Sequence, residues 1–191
     1  MSEVTERIEK FVEYVHRLKG DEKGEAQVFL DRLFIAFGHE GYKEAGATLE
    51  DRIKTKERGT SFADLVWRPR VLIEMKKRGE KLSAHYTQAR DYWLEMRDKP
   101  KYVVLCNFDE FVIYDMLHQM DDPIDRVTVT ELPQRFPCLN FLFPVEKAPL
   151  FGNDRVAVTR QAADQLAACF RHLVGRGVER ELAQRFVLQV L

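Results

Sequence analysis

Residues 61–77, SFADLVWRPRVLIEMKK, decide how this chain folds. SFADLVW (61–67) alternates as a half-buried strand does, WRPR (67–70) is a tight connection, and VLIEMKK (71–77) is apolar enough for a buried strand. Before them come the charged segment TLEDRIKTK (48–56), an edge strand by composition, and the turn signal RGT (58–60). The three segments predict an antiparallel meander. Ser83 is an N-cap for a helix over 84–97 with Ala89, Tyr92, Trp93 and Met96 on its buried face. Pro100 then precedes a strand over 101–108, and a two-residue Asp109-Glu110 turn leads into FVIYDM (111–116).

Upstream, Ile8, Phe11, Val12, Val15 and Leu18 share one face of a helix over 3–18 that Gly20 ends. A second helix over about 25–37 is apolar around most of its circumference, which places it between layers, and Gly38 sits at its C′ position. The order helix, helix, three strands, helix, two strands predicts an α/β (α+β) core of one sheet flanked by helices. Residues 121–154 read as an irregular connector, since 130–153 hold four of the seven prolines. A helix resumes from Thr159, Gly175 and Gly177 break it, and the apolar run LAQRFVLQVL follows. An apolar pattern still running at residue 191 is expected of a piece of a longer protein.

Composition limits the function classes. With 30 basic and 31 acidic residues the net charge is −1, so no global electrostatic footprint for nucleic acid exists and any contact must be local. No run approaches a membrane span and the acidic, amphipathic start is no signal peptide, so a cytoplasmic protein with no membrane partner is expected. Cys106, Cys138 and Cys169 lie far apart without CxxC spacing, which predicts reduced thiols and neither a disulfide framework nor a zinc site.

The chemistry concentrates between Asp64 and Lys76. Glu74 and Lys76 are two apart on one strand, so their side chains leave the same face about 6.5–7 Å apart with Leu72, while Ile73 and Met75 point the other way. The short connection brings Asp64 beside them. Two carboxylates converging near an ammonium within apolar strands are costly unless a cation sits between them, and Mg²⁺ takes oxygen ligands of this kind while keeping waters for phosphates. Asp64 and Glu74 would hold the metal, and Lys76, kept protonated by them, would offset charge on a phosphodiester undergoing hydrolysis. Solvated charges on an exposed strand are the other reading of the same spacing.

Three further groups have two readings each. Gln88 and Tyr92 are one helical turn apart on the side of His85, so the amide reaches either a water, phosphate or carboxylate, or only solvent beside a core tyrosine. Glu25 shares a face with Phe29 and Leu33; it is a third acidic ligand or a first-turn glutamate favoured by the helix dipole. Arg52, Lys54, Lys56 and Arg58, with Lys77, Arg78 and Lys81, flank the site as DNA-phosphate contacts or as solvated charges. Trp67 and Trp93 read as core residues.

GEAQVFLDRLFIAFG, SFADLVWRPRVLIEMKKRGEKLSAHYTQARDYW and KYVVLCNFDEFVIYD resemble the N-terminal nuclease domain of the MmeI-like type IIG/IIL restriction–modification enzymes, of the PD-(D/E)XK superfamily. The resemblance covers about residues 20–118 well, and residues 155–191 resemble the start of the family's helical spacer. It implies a restriction-endonuclease-like core (1–120) with a central mixed sheet and a C-terminal helical extension. It implies a Mg²⁺-dependent endonuclease for double-stranded DNA, with Mn²⁺ as a substitute ion. Asp64, Glu74 and Lys76 fall on the D…ExK positions, Glu25 on the acidic position of the first core helix, and Gln88 with Tyr92 on a QxxxY pair. Ala63 stands where the superfamily name has Pro. No methyltransferase motif or S-adenosylmethionine site occurs in the 191 residues, so the expected partners are methyltransferase and target-recognition regions of the same polypeptide and a second copy for double-strand cleavage. A catalytically silent DNA-binding or docking module of a larger DNA methyltransferase is the alternative.

Overall fold

The computed structural model describes residues 3–55 and 59–189, with side chains described outside 51–62 and 156–157. Two compact units form, Met1–Gly152 and Asn153–Leu191. The first is α+β. Its elements are α1 (Glu3–Val15), α2 (Glu22–Ala36), β1 (Thr48–Thr55), β2 (Gly59–Trp67), β3 (Val71–Met75), α3 (Tyr86–Glu95), β4 (Tyr102–Cys106), β5 (Glu110–Asp115), β6 (Asp125–Thr128) and the short α4 (Leu132–Arg135). The six strands make one mixed sheet in chain order, β1 to β6. Every pair is antiparallel except β3–β4, which are parallel and joined through α3. A parallel pair needs such a crossover, whereas the flanking hairpins do not.

The alternation of side chains along the strands divides the core in two. Leu65, Ile73, Val104 and Ile113 face α1 and α2, where Phe11, Phe29, Leu33 and Phe34 meet them. Val66, Leu72, Val103, Leu105 and Val112 face α3, where Ala89, Tyr92, Trp93 and Met96 cover them. Strands β3 and β4 are buried throughout, as central strands covered on both faces must be. Trp67 and Trp93 are core residues, as expected; the Trp93 indole donates to the Pro100 carbonyl at 2.6 Å.

Several expectations need correction. The segment 121–152 is no irregular connector: Asp125–Thr128 extends the sheet at β5, and Leu132, Cys138, Leu139, Phe141 and Leu142 are buried against the α1/α2 face. Pro133 and Pro137 sit at the starts of short helical turns, where a missing N–H costs nothing, so a proline-rich composition does not by itself signal a loop. Ser83 lies inside a 3-10 turn (Leu82–His85) rather than capping α3, which begins at Tyr86. The link between β4 and β5 is wider than two residues. The Asn107 carboxamide oxygen accepts from the Asp109 and Glu110 N–H groups, and Phe108 takes φ 71° so that its ring stays buried. Helix α2 belongs to the outer layer and starts one turn early, at Glu22. It buries Phe29, Leu30, Leu33 and Phe34 while Lys23, Gln27, Val28 and Arg32 stay exposed.

The second unit is a pair of helices, α5 (Arg155–Gly175) and α6 (Arg180–Gln189), turned through Gly177 at φ 87°. Cys106 and Cys138 are buried and Cys169 is exposed. No helix among the described residues is long and apolar enough to cross a membrane.

Candidate active site

The ladder between β2 and β3 runs from Trp67↔Val71 to Leu65↔Ile73. Beyond it, the Asp64 side chain takes over: its Oδ2 accepts the Met75 N–H at 2.7 Å. A carboxylate that substitutes for a strand carbonyl is fixed against the neighbouring strand with its second oxygen available. On the other side of β2, the register skips the Glu50–Asp64 position, and Glu50 has φ 51°. An irregularity of this kind re-aims the side chains around it.

Glu74 follows Leu72 by two residues and is only 3% exposed. Its Oε2 receives the Lys76 ammonium at 3.4 Å, while Oε1 has no hydrogen-bond partner. Burial, reinforced by the Asp64 carboxylate and opposed by Lys76, pushes the Glu74 carboxyl up to about 8. Asp64 is raised in the same direction, chiefly by burial, against the pull of the Met75 N–H and Lys76. Burial alone would lower Lys76, but Glu74, Glu22 and Asp64 outweigh it and hold its ammonium above the ordinary range. The ammonium bridges Glu74 and Glu22, 3.4 Å from each.

Asp64, Glu74 and Lys76 therefore converge as the spacing predicts. Glu25 does not join them. Its carboxylate accepts the N–H groups of Lys19, Gly20 and Asp21 at 3.1, 2.6 and 2.9 Å, so it organises the loop before α2. The acidic residue that reaches the site from α2 is Glu22, one turn earlier. Sequence reasoning missed it by starting the helix at Glu25; Asp21, a good N-cap type three residues before Gly24, was the available signal.

Gln88 and Tyr92 meet each other, with the amide donating to the tyrosine hydroxyl at 2.7 Å rather than to either carboxylate. His85 pairs with Glu80 at 2.8 Å. Among the proposed DNA contacts, Lys77 and Lys81 are exposed beyond β3, as a phosphate contact requires. Arg78 is drawn towards the end of α1 instead. Its guanidinium is spent on the Leu18 and Val15 carbonyls at the end of α1 and on Asp109 at 2.8 Å. The side chains of Arg52 and Lys54, and the whole of Lys56 and Arg58, lie outside the described residues. Among the described residues no three His, Cys, Asp or Glu side chains form a ready-made metal cage.

The family model described as MmeI, N-terminal domain, matches residues 4–176. No curated protein matches the chain. Among solved structures, the cryo-EM structure of a DrdV–DNA complex is similar over 90% of this chain, with a TM-score of 0.45 and 15% identity. The match takes in 16% of that chain, so the present one spans a small part of its length.

Proposed function

This chain belongs to the MmeI N-terminal domain family, and from that premise we propose that it is the nuclease domain of a restriction–modification protein, cleaving double-stranded DNA with Mg²⁺. The observation that carries this reading is Glu74: a buried carboxylate with one unpartnered oxygen, beside a second carboxylate and an ammonium. Nothing about folding favours that combination, because an apolar residue at 74 would bury at no electrostatic cost.

The donor set fits a hard divalent cation. Mg²⁺ is commonly held by one or two carboxylates, the remaining positions being waters and substrate phosphate oxygens, so Asp64 and Glu74 suffice without a third side chain. When bound, the ion supplies Lewis-acid polarisation of the scissile phosphate and a nucleophilic water. Asp64, braced by the Met75 N–H, and Glu74, in its deprotonated form, would hold the ion. Lys76 keeps its charge and stabilises the negative charge that develops on the phosphate. Glu22 holds the Lys76 ammonium in place. Gln88 positions Tyr92 on α3. Methylation, target recognition and a second copy for cutting both strands belong to this proposal as partners outside the chain.

Plasmid nicking tests it. Purified protein with Mn²⁺ or Mg²⁺ is expected to convert supercoiled plasmid to nicked circles, and Asp64→Asn to lower that rate about 10²–10³-fold. Equal nicking by both proteins would overturn the assignment of this site.

A further inference from the structure

Asp64 and Glu22 stand at one end of an open trough whose remaining length the cleavage chemistry does not use. The first section, a cavity of about 340 Å³, is lined by Glu22, Lys23, Gln27, Glu50 and Asp64. The second, of about 380 Å³, is lined by Gln27, Tyr42, Lys43, Thr48 and Glu50. Gln27, Leu49 and Glu50 border both, so the sections adjoin. The trough changes character along its length. Carboxylates cluster at the Asp64 end beside the exposed Lys23 ammonium, Glu50 borders both sections, and the far end presents a second exposed ammonium, Lys43, 5.8 Å above the Tyr42 ring. Leu30 and Leu49 contribute apolar surface between.

The far end is firmly built. The Tyr42 N–H donates to Asp31 on α2, the Ala47 N–H to the Tyr42 carbonyl at 3.0 Å, and the Gly46 N–H to the Lys43 carbonyl at 2.9 Å. Gly46, at φ 84°, closes that turn. Lys43 is thus carried on a fixed platform rather than a free loop.

We infer that the sugar–phosphate strand leaving the scissile position runs along this trough, with Lys43 contacting a backbone phosphate and Gln27 donating to the backbone beside it. The inference rests on the nuclease reading. A strand whose phosphate is held at Asp64 must continue past the protein surface, and this trough opens directly from that residue. Its polarity matches: acidic where a cation mediates, cationic where a phosphate must be met directly, apolar where sugars pass.

The test is duplex binding by fluorescence anisotropy in Ca²⁺ across a salt series, using the full chain, Lys43→Ala, Gln27→Glu, and Lys10→Ala as a control. Lys10 lies on α1 and pairs with Glu6. Removing one phosphate contact lowers the slope of log affinity against log salt by about 0.9, which at about 0.1 M salt is a loss of roughly 8-fold. Lys43→Ala is expected to show both changes, Gln27→Glu to weaken binding, and Lys10→Ala to match the parent, all with unchanged melting temperature. If the parent nicks plasmid and binds duplex while Lys43→Ala keeps its full salt slope, the trough is wrong and the nuclease reading stands. If the parent neither nicks nor binds duplex, the nuclease reading fails and the trough with it.

Discussion

Lys76→Ala is expected to lower divalent-cation-dependent plasmid nicking about 10²–10³-fold, the loss typical when one preorganised charge is removed from a transition state. The effect rests on position. The ammonium lies 3.4 Å from Glu74 Oε2 and is held there by Glu22, so the charge is already in place when a phosphate arrives. The same substitution leaves Glu74 buried without its cation. Above the Glu74 titration this costs roughly 1–3 kcal/mol of stability, the penalty of an unpaired buried polar group, and below it, where Glu74 carries its own proton, much less. Melting near pH 5 and well above the Glu74 titration, at about pH 10, separates the two effects. Lys76→Arg is expected to recover part of the stability at the higher pH but little of the nicking, because a planar fork does not place its charge where an ammonium does.

The second large effect is the pH dependence of the cation-free protein. Glu74 has its carboxyl at about 8 in the folded protein, against 4.5 for an ordinary glutamate. Between those values the folded state binds the extra proton and the unfolded state does not, so the Glu74 contribution to stability is fully present below about 4.5 and is lost as pH rises towards 8. The fall from this one group is on the order of a few kcal/mol. Asp64, also raised, adds to it in the same sense, and Lys76 titrates above the window. Glu74→Gln is expected to remove most of the slope and make the cation-free protein more stable near pH 8. Mn²⁺ is expected to restore stability to the parent at that pH, releasing protons as it binds, and to do little for Glu74→Gln. A melting temperature independent of pH in the parent would contradict the burial of a carboxylate with one unpartnered oxygen.

How far the sequence revealed this arrangement depended on how local each cause was. Residues 61–77 are legible because strand alternation, a tight connection and a buried strand occur within seventeen positions, and Asp64, Glu74 and Lys76 come with them. Strand β6 is not legible: four residues alternating between buried and exposed carry too little pattern, and what makes them a strand is the free edge of β5. The burial of Phe141 and Leu142 is likewise a tertiary matter that a proline-rich composition conceals. Glu22 was hidden by a helix boundary, the least certain feature a periodicity can give. Arg78 shows the converse. Its place after the ExK strand suggests a phosphate contact, yet the end of α1 comes to it, and the carbonyls of Val15 and Leu18 use its charge. That contact joins residues sixty or more positions apart, and no local pattern announces it.

The central claim is that Asp64 and Glu74 together form a cation site. Crystals of the protein soaked in high Mn²⁺ and measured for anomalous scattering test it without requiring turnover. The account predicts a peak between the two carboxylates, with Glu74 Oε1 among its ligands. A map with no peak there, at Mn²⁺ concentrations that fill other acidic sites, would contradict it.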